Sequence, residues 1–436
     1  MRKNNKYAKL LLHRQYTSMR TPSTLRWAFL LFAMPLFAAD GIDSYVTRTG
    51  TPQDFDLGAT HIVCTPATQT ITPVDTAESK SIPGCLQQIY GQRLVVTGKL
   101  DNKTHTLTAD TIELIDLETG RDIDGFSFID AVLSPTLLRA DGHAIVIDSN
   151  TKITRENDLT PADSPATRQW VKYEGVRRAD GAILATSLTF SAPEITKTEK
   201  NLRKKSEFDP AKNNEENKQS GASKFFLGKD YKRIPASKDT ALQARIEAIG
   251  NKLIPAYQRS LTDGDPHKIN FRFQLVHGIK YQSISFPSGI ILVEERAVKV
   301  LPNDDQIAYV MADAIAIALE RQEYRYLPGY YTMAGTQTAA EVAGLFVPGL
   351  GLVAWAGNHV ALSKIQKTQG DQASRLALIM LHDAGYDITQ ALIADWHLEK
   401  EKPDFMQRSI PYRAAFLFQT LATDWRPDSP LRQQHP

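Results

Sequence analysis

Apolar positions divide the chain into two regions with different periods. Between residues 41 and 193, short runs rich in Val, Ile and Thr alternate with polar residues and end at turn residues, which predicts β-strands. Between residues 225 and 428, apolar residues recur every three or four positions over longer stretches, which predicts helices. We therefore expect an α+β chain, with an all-β N-terminal region and a helix-rich C-terminal region that contains a small sheet.

The β-type region contains an internal repeat. Residues 94–112 resemble residues 170–188, so that Gly98 corresponds to Gly175 and Ala109 to Ala185. Each copy predicts a strand pair, a connection and then a hairpin. Two tandem OB-like barrels over residues 41–193 explain this pattern economically.

OB-like barrels often bind oligonucleotides or sugars through an aromatic, basic face. Here the hairpins have no row of aromatic residues, and their basic cluster consists of Lys99, Lys103, Arg177 and Arg178. Solvated hairpin tips therefore explain these charges better than a binding groove does. The whole chain has 51 Lys and Arg against 49 Asp and Glu, so charge gives no indication of a nucleic-acid partner.

The N-terminus has the pattern of a targeting segment. Arg20 and Arg26 precede an apolar run from residue 27 to residue 37, and Ala38-Ala39 supplies small residues for cleavage. The run is too short for a mature membrane span, so residues 1–39 are predicted to be a signal peptide. The start is Met1 or Met19, and the alternative is an uncleaved anchor. Either way we expect export to the periplasm or cell envelope.

Two cysteines fit an oxidising compartment. Cys64 and Cys85 are the only cysteines, and both lie in the first barrel repeat. A disulfide between them is expected, with two buried unpaired thiols as the alternative.

Residues 194–224 differ in composition from both flanks. The segment is charged and almost free of large apolar residues, which predicts a flexible linker.

One helix dominates the second region. Asn303 is a suitable N-cap for an apolar segment from residue 306 to residue 318, in which Asp313 is the only charge. Residues 320–323 are predicted to return the helix to water. Before it, residues 283–286 and 290–293 flank a Pro-Ser-Gly turn and predict a hairpin.

Further along, the stretch from Val342 to Gly357 is uncharged and contains three helix-breaking residues, Pro348, Gly349 and Gly351. It predicts a buried helical hairpin, with membrane contact as the alternative. A helix over residues 369–382 is expected to end at Gly385. Residues 388–401 and 412–425 predict two final helices.

This order of elements resembles the HtpX/BepA-like zinc metallopeptidases, which are relatives of the CAAX prenyl proteases. The resemblance covers about residues 235–425. It rests on the hairpin Gln282–Gly289, the helix Gln306–Ile317 and the segment Gln372-Ala373-Ser374-Arg375, followed by Ala384-Gly385-Tyr386-Asp387. It implies a metallopeptidase-like domain, of gluzincin type, over residues 225–428, and a substrate cleft near Ser285, Phe286 and Pro287.

The zinc-binding positions of that family are replaced in this chain. HExxH chemistry needs two imidazoles and a carboxylate base on one helix face. Asp313 stands at the first His position, Ala314 at the base, and Ile317 at the second His. Gln372 replaces the third-ligand Glu, and Ser374 replaces a supporting Asp. No catalytic residue and no zinc site is therefore expected.

The resemblance then implies a pseudopeptidase that binds envelope proteins or peptides, with protein quality control as its context. One alternative is an active zinc endopeptidase with a non-standard site, for which Asp313, His382 and His397 are the only conceivable ligands. Another is an envelope adaptor that acts through the barrels. We also expect Asp313 to pair with Arg375, because a buried unpaired carboxylate is costly.

Overall fold

The computed structural model describes residues 40–58, 60–72, 80–88, 90–115, 119–156, 159–160, 162–211, 234–279, 281–325, 359–401 and 410–433. The predicted signal peptide, the apolar stretch from Val342 to Gly357 and the end of the predicted linker, residues 212–224, lie outside the described residues.

The first six strands form a closed barrel, which we call barrel 1. Five strands follow the order β2-β1-β5-β6-β3, and pairing of β2 with β3 closes the ring, while β4 adds to β3 outside it. Their bounds are β1 Asp40–Thr49, β2 Asp54–Leu57, β3 Thr60–Thr72, β4 Lys80–Pro83, β5 Arg93–Asp101 and β6 Thr106–Leu114.

The next six strands form barrel 2 with the same plan. The order is β12-β11-β7-β8-β9, and β12 pairs with β9 to close the ring, while β10 adds outside. Each ring contains one parallel pair, which is β3 with β6 in barrel 1 and β9 with β12 in barrel 2. The predicted tandem barrels are therefore present. Their bounds are β7 Asp122–Ser134, β8 Leu137–Ala140, β9 His143–Val146, β10 Lys152–Glu156, β11 Trp170–Arg177 and β12 Ile183–Ser191.

The glycines that revealed the repeat lie at equivalent β-bulges. The register shifts at Gly98 on β5 and at Gly175 on β11. A Cβ at Gly98 would lie 2.0 Å from the carbonyl oxygen of Thr108, and one at Gly175 would lie 2.5 Å from that of Leu184. The close approach of the neighbouring strand thus requires glycine at both positions.

A disulfide joins Cys64 of β3 to Cys85, which follows β4. It attaches the extra strand to the core of barrel 1, where Cys64 is 8% exposed.

The C-terminal region is helix-rich with one small sheet, as expected. Parallel β13 and β15 pair, and β14 adds antiparallel to β15 at the edge. The bounds of the strands are β13 Arg272–Val276, β14 Ser283–Ser285 and β15 Ile290–Glu294. Those of the helices are α1 Lys197–Lys205, α2 Thr240–Leu253, α3 Ala256–Arg259, α4 Glu295–Val300, α5 Asp304–Leu319, α6 Gln322–Arg325, α7 His359–Asp383, α8 Gln390–Glu401, α9 Ile410–Thr423 and α10 Pro430–Gln433.

Helix α5 is the centre of this region. The side chain of Asn303 accepts a hydrogen bond from the backbone N–H of Gln306, so the predicted N-cap is confirmed. Every residue of α5 from Gln306 to Leu319 is buried except Ile317. Gly385 closes α7 with φ of +71°, as expected for a glycine at a helix C-terminus.

Helix α1 lies inside the segment that was predicted to be a flexible linker. Its N-cap is Thr196, whose side chain accepts from the backbone N–H of Glu199. Leu202 and Phe208 are 8% and 7% exposed. Two apolar anchors are therefore enough to dock a short charged helix that composition alone assigns to solvent.

Ion pairs fix barrel 2 to the helical region. Arg139 of β8 reaches Asp383 at the end of α7, and Arg177 of β11 pairs with Asp424 after α9. In the opposite direction, Arg375 of α7 pairs with Asp141 in the β8–β9 turn. Of the helices in the described ranges, none combines the length and the apolar character needed to cross a membrane.

Candidate functional site

The hairpin residues implied by the resemblance lie beside helix α5. Ser285, Phe286 and Pro287 line one pocket together with Ile317 and Arg321. The pocket, which we call the cleft, encloses about 290 Å³ including the solvent at its mouth. The positions that would hold substrate and the second zinc ligand in the family thus adjoin each other in this fold.

Two residues of the edge strand β14, Ser283 and Ser285, have backbone groups that are not paired with β15. Phe286 donates to the carbonyl of Ile290, and the carbonyl of Gln282 accepts from Glu294. Because inward-bonding residues alternate along an antiparallel strand, the backbone N–H and C=O groups of Ser283 and Ser285 point toward the open edge. Such groups are those that an added peptide strand would pair with.

Asp313 is a buried, fully engaged carboxylate. Its Oδ1 lies 2.9 Å from Nη2 of Arg413 on α9 and accepts from Oγ of Ser374 on α7 at 3.2 Å. Arg413 also donates to the hydroxyl of Tyr309, one turn before Asp313. The carboxylate of Asp313 is therefore part of a structural ion pair.

The predicted partner of Asp313 was wrong. Arg375 instead donates from Nη2 to Oδ1 of Asp141 at 2.6 Å and from Nε to the Asp141 carbonyl at 2.8 Å. Arg375 is buried against barrel 2, where Asp141 is its counter-charge. The cation beside Asp313 is Arg413, which lies on α9. The choice depends on barrel 2 and α9, which both lie far from Asp313 in the sequence.

The other replaced positions also serve packing. Ala314 is fully buried, and Ile317 is half-buried and faces the cleft. The amide of Gln372 donates to the carbonyl of Phe126 in barrel 2 and accepts from Arg325. Carboxamide, methyl and sec-butyl groups do not supply the imidazole or thiolate donors that zinc prefers. The residues present do not fit a zinc ion.

The alternative ligand set is not assembled. His397 Nδ1 bonds to the side chain of Gln306, and the His382 ring packs on Trp425. Among the described residues, the only His, Cys, Asp or Glu group with metal-like spacing is Asp54, Asp56 and His61 on barrel 1.

That barrel 1 group already contains a cation. Arg48 Nε lies 2.6 Å from Asp56 Oδ2, and its Nη2 lies 2.5 Å from Asp54 Oδ1. The guanidinium therefore pairs with both carboxylates, and the group is a solvent-accessible ion-pair network.

Sequence reasoning missed Glu320. The sequence predicts that residues 320–323 are exposed to solvent, but Glu320 has no exposed surface. Its Oε2 lies 2.8 Å from Nη1 of Arg325, and Ser127 of barrel 2 donates to its Oε1. Burial raises the pKa of Glu320 to about 8, although Arg325 opposes the shift. An acidic residue at a helix C-terminus opposes the helix dipole, and that was the available signal of a tertiary partner.

Glu320 is expected to make stability fall as pH rises from about 4.5 to about 8. Its pKa is raised in the folded state, so the folded chain binds more protons than the unfolded chain within that window. Below the window both states are protonated, and the contribution is complete. Urea midpoints measured from pH 5 to pH 8 should fall in the wild type and fall less in Glu320→Gln. The exposed Glu174→Gln is the control, and equal slopes in all three proteins would contradict this assignment.

Helix α1 covers the cleft. Ser288 Oγ donates to the carbonyl of Ser206, and the rings of Phe208 and Phe286 are 5.0 Å apart. Glu199 of α1 is 2% exposed and pairs with both Arg203 and Arg321. Ser285, beside Phe286, is 1% exposed.

Comparison with known proteins does not name a family. No protein-family model matches the chain, and no curated protein matches its sequence. These comparisons therefore assign no family to the chain.

Proposed function

We propose that this chain is an exported, non-hydrolytic relative of the HtpX/BepA-like metallopeptidases that binds extended peptide segments of envelope proteins. The observation that carries the proposal is the cleft, in which an edge strand and its turn adjoin the helix that has lost the zinc motif. Ser283 and Ser285 offer backbone groups at that edge, and Phe286 and Pro287 supply an apolar wall.

The absence of hydrolysis follows from the residues at the former zinc positions. Ala314 cannot act as a base, and Asp313 is already neutralised by Arg413. Loss of a general base and of a metal-bound water removes several orders of magnitude in rate. What the fold retains is the part that recognises an extended chain.

Binding at this site includes displacement of α1. The helix and its flanking residues are attached through the buried Leu202, the ring contact of Phe208 with Phe286, the ion pairs of Glu199, and hydrogen bonds of Thr196 with Tyr324, of Arg203 with Pro266 and of Ser288 with Ser206. The covered cleft therefore describes a free state, and ligand-bound α1 would lie elsewhere.

Metal content, proteolysis and binding are measured on one preparation of the full mature chain. We expect no stoichiometric zinc, no casein hydrolysis, and saturable binding of carboxymethylated casein, which is permanently unfolded. Stoichiometric zinc together with chelator-sensitive hydrolysis would instead establish the active endopeptidase.

Ser283→Pro tests the edge strand. Proline removes an N–H that points away from the sheet, so the pairing of β14 with β15 is kept while a donor to the peptide is lost. We expect about a tenfold weaker affinity for carboxymethylated casein, equivalent to about 1.4 kcal/mol. Ser283→Ala retains the N–H and should bind like the wild type. Equal binding by the proline variant would exclude strand addition at β14.

An adaptor function is favoured by a different observation. Tyr90 of barrel 1 adjoins Trp396 of α8 and Phe418 of α9, which are 39% and 40% exposed. A contiguous exposed apolar surface is typical of a protein interface. Casein binding that survives Ser283→Pro but is lost in Trp396→Ala would favour this alternative.

A further inference from the structure

A second cavity lies between barrel 2 and the helical region. It encloses about 380 Å³ including solvent at its mouth, and Arg203 and Arg321 separate it from the cleft. Its apolar wall combines Phe128 and Trp170 of barrel 2 with Leu319 of α5. We call it the arginine cavity, because Arg168 completes a set of three arginines around it.

The charges around the cavity are unbalanced. Arg168, Arg203 and Arg321 line it, and none of the described residues that line it is acidic. Behind the wall, Glu199 pairs with Arg203 and Arg321, and Asp265 lies 3.5 Å from Arg168. Three guanidinium groups against two carboxylates leave one net positive charge next to an apolar surface, where a counter-ion is attracted more strongly than in water.

Two of these arginines repel each other. Burial lowers the pKa of Arg203, and the nearby Arg321 lowers it further, although Glu199 opposes both effects. Glu199, which pairs with both arginines, offsets part of this repulsion.

The backbone is also unfavourable at two of the three arginines. Arg168 has φ of +78° and Arg321 has φ of +51°, and these are two of only four non-glycine residues with positive φ in the described ranges. A left-handed conformation costs a non-glycine residue about 1–2 kcal/mol, and glycine would adopt it without that cost. Backbone strain of this kind concentrates at functional sites. Both of these arginines line the cavity.

We propose that the arginine cavity binds a carboxylate attached to an apolar group, with the carboxylate at the guanidinium groups and the apolar group against Trp170 and Leu319. Planar guanidinium matches a carboxylate in bidentate geometry. Such a ligand is either the C-terminus of a peptide with an apolar last residue or a small free organic acid. The proposal applies to the state with α1 in place, because Arg203 of α1 lines the cavity.

Calorimetric titration and thermal shift of the full mature chain test it with matched probes. The probes are 3-phenylpropionate, its neutral amide, inorganic phosphate, and the peptide Ala-Ala-Phe with a free or an amidated C-terminus. We expect saturable binding of the carboxylate forms and none of the amides. Binding by the peptide alone identifies a chain terminus as the ligand, and binding by phenylpropionate alone identifies a small acid.

Arg168→Gly separates ligand binding from folding. It removes a guanidinium group and relieves the left-handed backbone, so the melting temperature without ligand should not fall, while affinity for the carboxylate should fall about tenfold. Arg168→Gln is the second variant, and it keeps a side chain of similar length without the charge. Arg178→Gln removes an exposed arginine of barrel 2 outside the cavity, and it should bind like the wild type.

Three results would overturn the proposal. They are no binding of any carboxylate probe, equal binding of the amides or of phosphate, and unchanged affinity in both Arg168 variants.

Discussion

Replacing Arg413 with alanine is expected to lower the free energy of unfolding by about 3–5 kcal/mol. Arg413 is the cation that neutralises Asp313 inside the helical core, and it also donates to Tyr309. Burial favours its neutral form, but Asp313 and Tyr309 raise its pKa far above its usual range. Its removal leaves a buried carboxylate without a counter-charge, which is among the most costly single changes in a core.

Urea denaturation of three variants tests this expectation. Arg413→Ala should unfold at a much lower urea midpoint. Arg413→Met combined with Asp313→Leu should recover most of the loss, because an apolar pair of similar volume replaces a buried ion pair at little cost. Arg245→Ala breaks an exposed ion pair with Asp304, the first residue of α5. This change should lower the free energy of unfolding by at most about 1 kcal/mol. If the double variant is as unstable as Arg413→Ala, Asp313 is not the group that needs the arginine.

Replacing Arg139 with methionine is expected to cost a similar amount, and the loss should depend on pH. Arg139 is 3% exposed, lies between Asp130 of β7 and Asp383 of α7, and its loss leaves two carboxylates close together. Burial raises the pKa of Asp130 to about 6 even with Arg139 present. A raised carboxylate pKa means that the folded state holds the proton longer than the unfolded state, so stability declines as pH rises through about 6.

The loss caused by Arg139→Met should therefore be about 3–5 kcal/mol at pH 8 and smaller at pH 5, where Asp130 is protonated. Adding Asp383→Asn removes one of the two carboxylates and should restore part of the stability at pH 8. Thermal or urea unfolding at both pH values provides the measurement. A loss that is equal at pH 5 and pH 8 would show that charge on Asp130 does not determine the effect.

Local signals in the sequence predict much of the fold. The N-cap at Asn303 and the apolar period after it define α5, and the repeat of Gly98 in Gly175 defines the two barrels. These predictions succeed because each depends on hydrogen bonds or close contacts within one or two elements. The hairpin and α5, which are neighbours in sequence, also lie side by side in the structure.

Long-range contacts were not predicted. Asp313 pairs with Arg413, which lies on α9, and Glu320 is buried by Ser127 of barrel 2. Glu199 lies in a charged run whose composition indicates solvent, yet it is held by Arg321, a residue in an unusual backbone conformation. Composition and periodicity describe what a segment does alone, whereas burial of a charge is decided by which distant segment covers it.

The tandem repeat creates a risk of strand exchange during folding. Equivalent strands of two similar neighbouring barrels can pair with each other and give misassembled domains. Here each barrel has an attachment that the other lacks, because only barrel 1 contains cysteines and only barrel 2 has Arg139 between Asp130 and Asp383. An exchanged strand would separate Cys64 from Cys85 or leave a buried arginine unpaired. The disulfide and the Arg139 ion pairs therefore distinguish the two barrels, whose strand order is the same.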